Sequence, residues 1–356
     1  LDKAQGYKAI KNALAFIYVR RERTLDNINS TILSEGYGLK LISSARTRTG
    51  LICKTDKGTK ELRKVYGDDN LLMFNAAAKR HLKQRGFDGV RVSIPATDGS
   101  PFFNYDDQKY VLEDYYAAQS ADLTDKTVLK KAVTVLAAMH TASEGFTFDG
   151  TVVYGPSLTD LYARREKELW RIMKRIKSSH SISAADRLVL DNGRIYAERA
   201  QYAVSILRNA DYGRLYADAA DKGFICHNAY KGDNIRLTND DGKIAVEGFT
   251  KCTVDMGAVD LAEFIRRYYK DNKCGAETAA DIADTYNAAK SLTTGDARVL
   301  YACLVYPGKF FRLCNKYYNK RRTFMSAAVE DKFRRCCQRA AEEQRFLNEL
   351  STYLLN

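Results

Sequence analysis

Residues 225–235 read I-C-H-N-A-Y-K-G-D-N-I, and residues 246–252 read V-E-G-F-T-K-C. Gly223–His227, Ile235–Leu237 and Ile244–Phe249 are apolar runs too short for helices, so they read as short strands around a loop. The loop gathers His227, Asp233 and Asn234, and the third strand carries Glu247. This strand-and-loop unit interrupts a stretch that is otherwise helical in pattern. What lies on either side of it decides the fold.

Downstream of Asp125 the apolar residues recur at helical spacing. Asp125 is positioned to cap a first helix whose stripe is Val128, Leu129, Ala132, Val133, Leu136 and Met139. Ser157, with Asp160 three residues on, opens a second in the manner of a capping box. Further helices are expected at Asp186–Ala210, Val259–Tyr269, Ala276–Ser291, Ala297–Tyr318 and Ala327–Leu355. Upstream the pattern changes. Gly38–Ser43, Gly50–Lys54 and Lys60–Val65 read as three antiparallel strands, with Thr55-Asp56-Lys57-Gly58 as a hairpin turn. A helix at Asn70–Arg85 follows, then strands at Gly89–Pro95 and Lys109–Tyr115. The expected organisation is a helical extension over 1–30, a small strand-rich lobe over 31–120 and a larger helical lobe over 121–356. Ligand sites favour such lobe junctions.

The chain has 356 residues, 57 of them Lys or Arg and 44 Asp or Glu, for a net charge of +13. Hydrophobic residues at 45% argue against disorder, and only 4 prolines argue against long Pro-rich linkers. The apolar run from Ala13 to Val19 is too short to span a bilayer, so a soluble intracellular protein is expected. None of the 8 cysteines forms a C-x-x-C pair, and buried reduced thiols are the expected state. Ten cations against Glu330 and Asp331 put +8 of the excess charge between Lys309 and Arg339. Lys309, Arg312, Lys316, Lys320, Arg321, Arg322, Arg334 and Arg335 are the candidate docking patch for an acidic partner. Phe310, Phe311, Tyr317, Tyr318, Phe324 and Phe333 interleave with these cations, as in single-strand binders. A solvated or protein-docking helical face is the favoured reading over nucleic acid.

Three blocks flank the central loop: L-A-A-M-H-T-A-S-E-G-F at 136–146, D-M-G-A-V-D-L-A-E-F-I-R-R at 255–267 and Y-P-G-K-F-F-R-L-C-N-K-Y-Y-N at 306–319. In order and spacing they resemble the CotS-type spore-coat proteins, over roughly residues 30 to 350. That family belongs to the aminoglycoside phosphotransferase and choline kinase group. The resemblance implies an α+β, two-lobed protein-kinase-like fold, with a small antiparallel-sheet N-lobe ending in a hinge, a mainly helical C-lobe, and a vestigial nucleotide pocket at Arg63, Lys64, Arg80, Glu113, Asp114, Tyr115 and Asn234. It also implies synthesis in the cytoplasm, a place in the spore coat and other coat proteins as partners, with no membrane insertion.

The family's catalytic loop reads H-G-D-x-x-x-x-N. Here His227 and Asn234 are kept, but Asn228 replaces the Gly and Ala229 replaces the Asp that faces the acceptor. Alanine can neither take a proton nor orient a hydroxyl. The family's I-D-F-D motif aligns with Glu247, Gly248, Phe249 and Thr250, so the metal-holding Asp is Gly248, which offers no oxygen to Mg²⁺. The strand lysine aligns with Arg63, and Lys64 points to the opposite face. The helix Glu that pairs with that lysine aligns with Arg80, a cation that would repel Arg63. Four altered parts point to a pseudokinase acting in binding or assembly, with no cofactor expected. ATP and Mg²⁺ belong to the alternative, an active phosphotransferase with an atypical loop. A basic nucleic-acid-binding module is the third reading.

Neighbouring acids could stand in for the lost ones. Glu247 is expected to face away from the cleft and Asp233 to serve as a turn residue. Asp255, Asp260, His140 and His227 are expected to be structural. Cys226 has no acid or oxyanion partner in the sequence that would make it a nucleophile.

Overall fold

A computed structural model describes residues 28–47, 49–239, 241–319 and 327–355. Most of the expected N-terminal extension, and Lys320, Arg321, Arg322 and Phe324, lie outside the described residues. Residues 28–37 are helical (α1). The N-lobe sheet follows as β1 (Leu41–Arg46), β2 (Leu51–Thr55), β3 (Gly58–Val65), β4 (Ser93–Ile94), β5 (Phe103–Tyr105) and β6 (Gln108–Asp114), with α2 (Asp69–Gln84) inserted after β3. The antiparallel strand order is β1-β2-β3-β6-β4, and β5 pairs with β6.

Strand alternation divides the chemistry of this sheet. Leu62 faces Leu112 across the β3–β6 ladder, and both join Ile32 and Leu33 of α1 in one apolar core. On the opposite face, toward α2, Glu61 stands directly across from Glu113 and Arg63 across from Val111. Asp68 caps α2 by accepting from the Leu71 amide at 2.8 Å. The helix ends in a Schellman motif, Phe87 N–H to Leu82 C=O and Gly86 N–H to Lys83 C=O. That stop turns the chain so that the Val246 amide can donate to the Gly89 carbonyl, at 2.7 Å, and brings Arg91 between the lobes.

After the hinge, β7 (Ala118–Ser120) pairs with β9 (Ile235–Thr238), which pairs with β10 (Ile244–Val246). β8 (Ile225–Cys226) pairs with β11 (Thr253–Val254). The C-lobe helices are α3 (Lys126–Ala142), α4 (Leu158–Lys177), α5 (Ala184–Asn209), α6 (Tyr212–Asp221), α7 (Gly257–Asn272), α8 (Ala276–Ala289), α9 (Thr294–Val305), α10 (Gly308–Tyr318), α11 (Ala327–Gln338) and α12 (Ala340–Leu354). Asp125 caps α3 as expected. Reciprocal capping boxes start α5 (Ser183 with Asp186) and α9 (Thr293 with Asp296), whereas Ser157 only accepts from the Asp160 amide.

Two expected helices are each divided. Ala297–Tyr318 breaks at Pro307, which has no N–H to donate and starts a new helix. Ala327–Leu355 breaks at Arg339, whose ψ is −3°. α6 is an element the periodicity does not announce, set off by Asp211 at φ 53°. The strand expected over Gly89–Pro95 shrinks to Ser93–Ile94, with Val90 forming an isolated bridge to Val246. Among the described residues, no helix is long and apolar enough to cross a membrane.

Candidate active site: a kinase-like cleft closed by ion pairs

The central loop hangs from one buried carboxylate. Asp260, in the first turn of α7, accepts from the backbone amides of His227 (2.5 Å) and Asn228 (2.7 Å) and sits 3.2 Å from His140 Nε2. His140 Nδ1 is 2.7 Å from the Tyr286 hydroxyl. Burial opposes the charge on Asp260, but hydrogen bonding and the field of His140, together with His227 and its amide, hold the carboxyl below its usual range. Asp255 follows the other rule. It is 1% exposed, accepts only the Met256 amide among the described residues, and burial pushes its carboxyl up to about 7.

His227 is fixed by its partners. The Ala229 amide donates to Nδ1 (3.1 Å), so Nε2 carries the proton and donates to the Glu247 carbonyl (2.8 Å). Burial lowers its pKa and keeps the ring neutral. The ring packs edge-on against Phe249, at 4.5 Å between centroids. It is a strut between the loop and the 246–250 segment.

Ala229 brings a methyl to the place of the acceptor-facing acid. Asn234 Nδ2 donates to the Ala229 carbonyl at 2.8 Å. Gly248 has φ 80°, a conformation that disfavours any side chain, and a Cβ there would lie 2.7–3.0 Å from the Asn234 amide atoms. Thr250 is exposed, its amide donating to the Gly248 carbonyl in a tight turn at 2.7 Å. Asp233 is paired with Lys231 at 3.0 Å in the expected turn. Tyr230 points into the helical lobe, its hydroxyl donating to the Ala132 carbonyl. Thus the loop presents no carboxylate at either aligned position.

The carboxylates of the cleft are instead those of Glu61, Glu113 and Glu247, and all three are taken by cations. Glu113, 1% exposed, binds Arg63 and the Lys79 ammonium, the latter at 2.5 Å. Arg91 donates to Glu61 at 2.5 Å and to Glu247 at 2.9 Å, lies 3.5 Å from Glu113, and stacks over the Tyr116 ring at 4.8 Å. Tyr116 donates to Glu247 at 3.3 Å. Glu61 and Glu113 face each other across the ladder, an arrangement that would be repulsive without Arg91 between them. Burial opposes the Glu113 charge, yet Lys79, Arg63 and Arg91 hold its pKa below the usual range; burial lowers Lys79 in turn. The network spans the lobes, and its members Arg63, Lys79, Arg91, Glu113 and Glu247 line a cavity of about 470 Å³.

Two expectations are corrected here. Arg80 does not face Arg63: it is exposed, and the α2 residue turned into the cleft is its neighbour Lys79. One residue on a helix is about 100° of rotation, enough to exchange the inner for the outer face. The usual pair of strand cation and helix acid is absent, and Arg63 and Lys79 instead share Glu113 of β6. Glu247 does not face away either, because the chain turns at Gly248 and the carboxylate reaches Arg91 and Tyr116. Asp114, Tyr115 and Lys64 lie at the margin: Asp114 pairs outward with Lys60, Tyr115 is 37% exposed, and exposed Lys64 sits over Tyr66. Lys79, Arg91, Glu61 and Tyr116 were not anticipated. The signal for one of them was present in E-L-R at 61–63, where strand alternation puts Glu61 on the same face as the anticipated Arg63.

The basic C-terminal region divides as well. Arg334 and Arg335 are paired one turn back with Glu330 and Asp331. Phe310, Phe311 and Phe333 are core residues, and Lys316 is exposed.

A small antiparallel sheet with one cleft-facing helix, joined by a hinge to a helical lobe that carries an H-x-x-x-x-x-x-N loop, defines the kinase-like fold class. Solved structures agree on that fold. An aminoglycoside phosphotransferase from Alicyclobacillus acidocaldarius superposes with TM-score 0.76, at 16% identity, covering 88% of this chain and 92% of the other. The spectinomycin phosphotransferase APH(9)-Ia superposes with TM-score 0.58, at 11% identity, covering 90% and 98%. Within this class the chain belongs to the family described as "Spore coat putative kinase YutH", which matches residues 30–350. It is also 22% identical to spore coat protein S of Bacillus subtilis (strain 168) over 273 residues, 76% of this chain and 77% of that protein.

Proposed function

We propose that this protein is a kinase-fold component of the spore coat that has lost phosphoryl transfer and works by binding. The observation that carries the reading is the pair of empty chemical positions, Ala229 and Gly248, within a cleft whose remaining acids are already neutralised. Phosphoryl transfer depends almost wholly on placed charge. The residues present do not fit a magnesium ion at the aligned position, where Gly248 has no ligand atom and the Asn234 amide occupies the space. Glu247 and Asp233 do not replace the lost acids, because each is engaged by a cation. Membership of a spore-coat family supports the location. Acidic surfaces of other coat proteins suit the exposed cations near Lys316, and nucleic acid is not the partner proposed.

The test combines thermal shift with ATP and Mg²⁺ and a γ-phosphate transfer assay on coat extract. No metal-dependent stabilisation and no transfer is the expected result. Metal-dependent stabilisation with turnover would overturn the reading and restore an atypical phosphotransferase.

A further inference from the structure

A second cavity, of about 460 Å³, lies in the C-lobe, walled by α5, α7, α10 and α12 and by the Leu304–Pro307 link; no residue of the central loop lines it. Eight Lys and Arg side chains line it against Glu263, Glu342 and Glu343. At its wall is Arg199, 8% exposed, which donates to the Val305 carbonyl (3.2 Å) and to Glu343 (3.4 Å). Its Nε–H is buried without a hydrogen-bond partner among the described residues. Lys309, Arg312 and Arg339 make no ion pair or side-chain hydrogen bond among the described residues. α10 opens into the same space at Gly308 with no side chain capping it, so its positive dipole end adds to the field.

We infer that this cavity is a binding site for a small polyanion, a molecule carrying two or more phosphate or carboxylate groups. The volume falls within the range of about 300–1,000 Å³ common for small-molecule sites. Arginine forks match both oxyanions in bidentate fashion, and the rings of Tyr306 and Phe346 supply apolar wall for a carbon skeleton. The enclosing helices favour a compact ligand over an extended acidic segment. Two of the cations expected to dock a protein, Lys309 and Arg312, are reassigned to this pocket. The inference is independent of whether the cleft transfers phosphate.

Isothermal titration of the full chain with pyrophosphate and with citrate, at constant ionic strength, tests it. At least one is expected to bind with Kd below about 1 mM, and Arg312→Ala is expected to weaken it about tenfold. Pyrophosphate alone would assign phosphate esters, and citrate alone would assign carboxylates. Arg199→Met is expected to weaken binding similarly, but it could also disturb folding, so the exposed Arg312 decides. Arg334→Ala, outside the pocket, serves as control and is expected to leave Kd within about twofold. Absence of binding by both probes, or equal weakening by Arg334→Ala and Arg312→Ala, would overturn the inference.

Discussion

Arg91→Met tests the interlobe network directly. Three carboxylates (Glu61, Glu113, Glu247) and three cations (Arg63, Lys79, Arg91) neutralise one another in the cleft. Methionine keeps much of the stem volume but removes the cation shared by all three carboxylates, leaving Arg63 and Lys79 on Glu113 and Arg236, at 3.9 Å, on Glu247. Glu61, 7% exposed, then retains among the described residues only the Thr49 hydroxyl, and it faces Glu113 across the ladder. Breaking a buried pair from one side costs about 3–5 kcal/mol. Glu247 is 21% exposed and can rehydrate, so the lower end, about 3 kcal/mol, is expected. Glu247→Gln alone leaves Arg91 with two partners and is expected to cost about 1 kcal/mol. Urea unfolding of both single variants and the double variant closes a cycle. The two substitutions remove the same contact, so the double is expected to cost about 1 kcal/mol less than the sum. A loss below about 1 kcal/mol for Arg91→Met, or additivity within about 0.3 kcal/mol, would refute the clamp.

Three further outcomes are expected. Asp255 has a raised carboxyl pKa of about 7, so its contribution is complete below the unfolded value near 4 and is lost as pH rises to 7. Between pH 4.5 and 7.5 that amounts to about 3 kcal/mol, and urea midpoints of Asp255→Asn should lack this decline. Gly248→Asp is expected to lower stability by about 1–3 kcal/mol through its positive φ and its approach to Asn234, without creating Mg²⁺-dependent ATP binding in a titration. Asp260→Ala leaves the His227 and Asn228 amides without their acceptor. A thermal-melt loss equivalent to about 3 kcal/mol is expected, with faster amide exchange in residues 227–234.

The two-lobed fold was legible because it rests on several separated blocks, each with its own periodicity. The structural roles of Asp260 and His227 followed from the resemblance, and the hydrogen bonds to Asp260 account for them. The cleft was less legible. Facing residues on a strand can be read by twos, but the inward face of α2 depends on its rotation, and motif alignment points to Arg80 where Lys79 stands. Arg91 lies in the connection between α2 and β4, where no periodicity reports direction. Its role depends on Gly89 being tied to Val246, a contact across 157 residues of sequence. Glu247 escaped for a related reason, since strand alternation stops at the Gly248 turn. Pro307 did signal its helix break, but the apolar stripe on both sides of it masked the division.

In the resembling kinases the strand contributes the cation and the helix the acid. Here α2 contributes the cation Lys79, and the acid is Glu113 of β6. Exchanging the polarity back one residue at a time would pass through a buried site holding either two uncompensated cations or two facing acids. Placing aspartates at Ala229 and Gly248 would therefore not by itself build the charge arrangement of the resembling kinases, because Lys79, Arg91 and Glu113 would also have to change together. The cleft charges are thus interdependent: changing any one of Lys79, Arg91 or Glu113 alone leaves a buried charge unbalanced and costs stability.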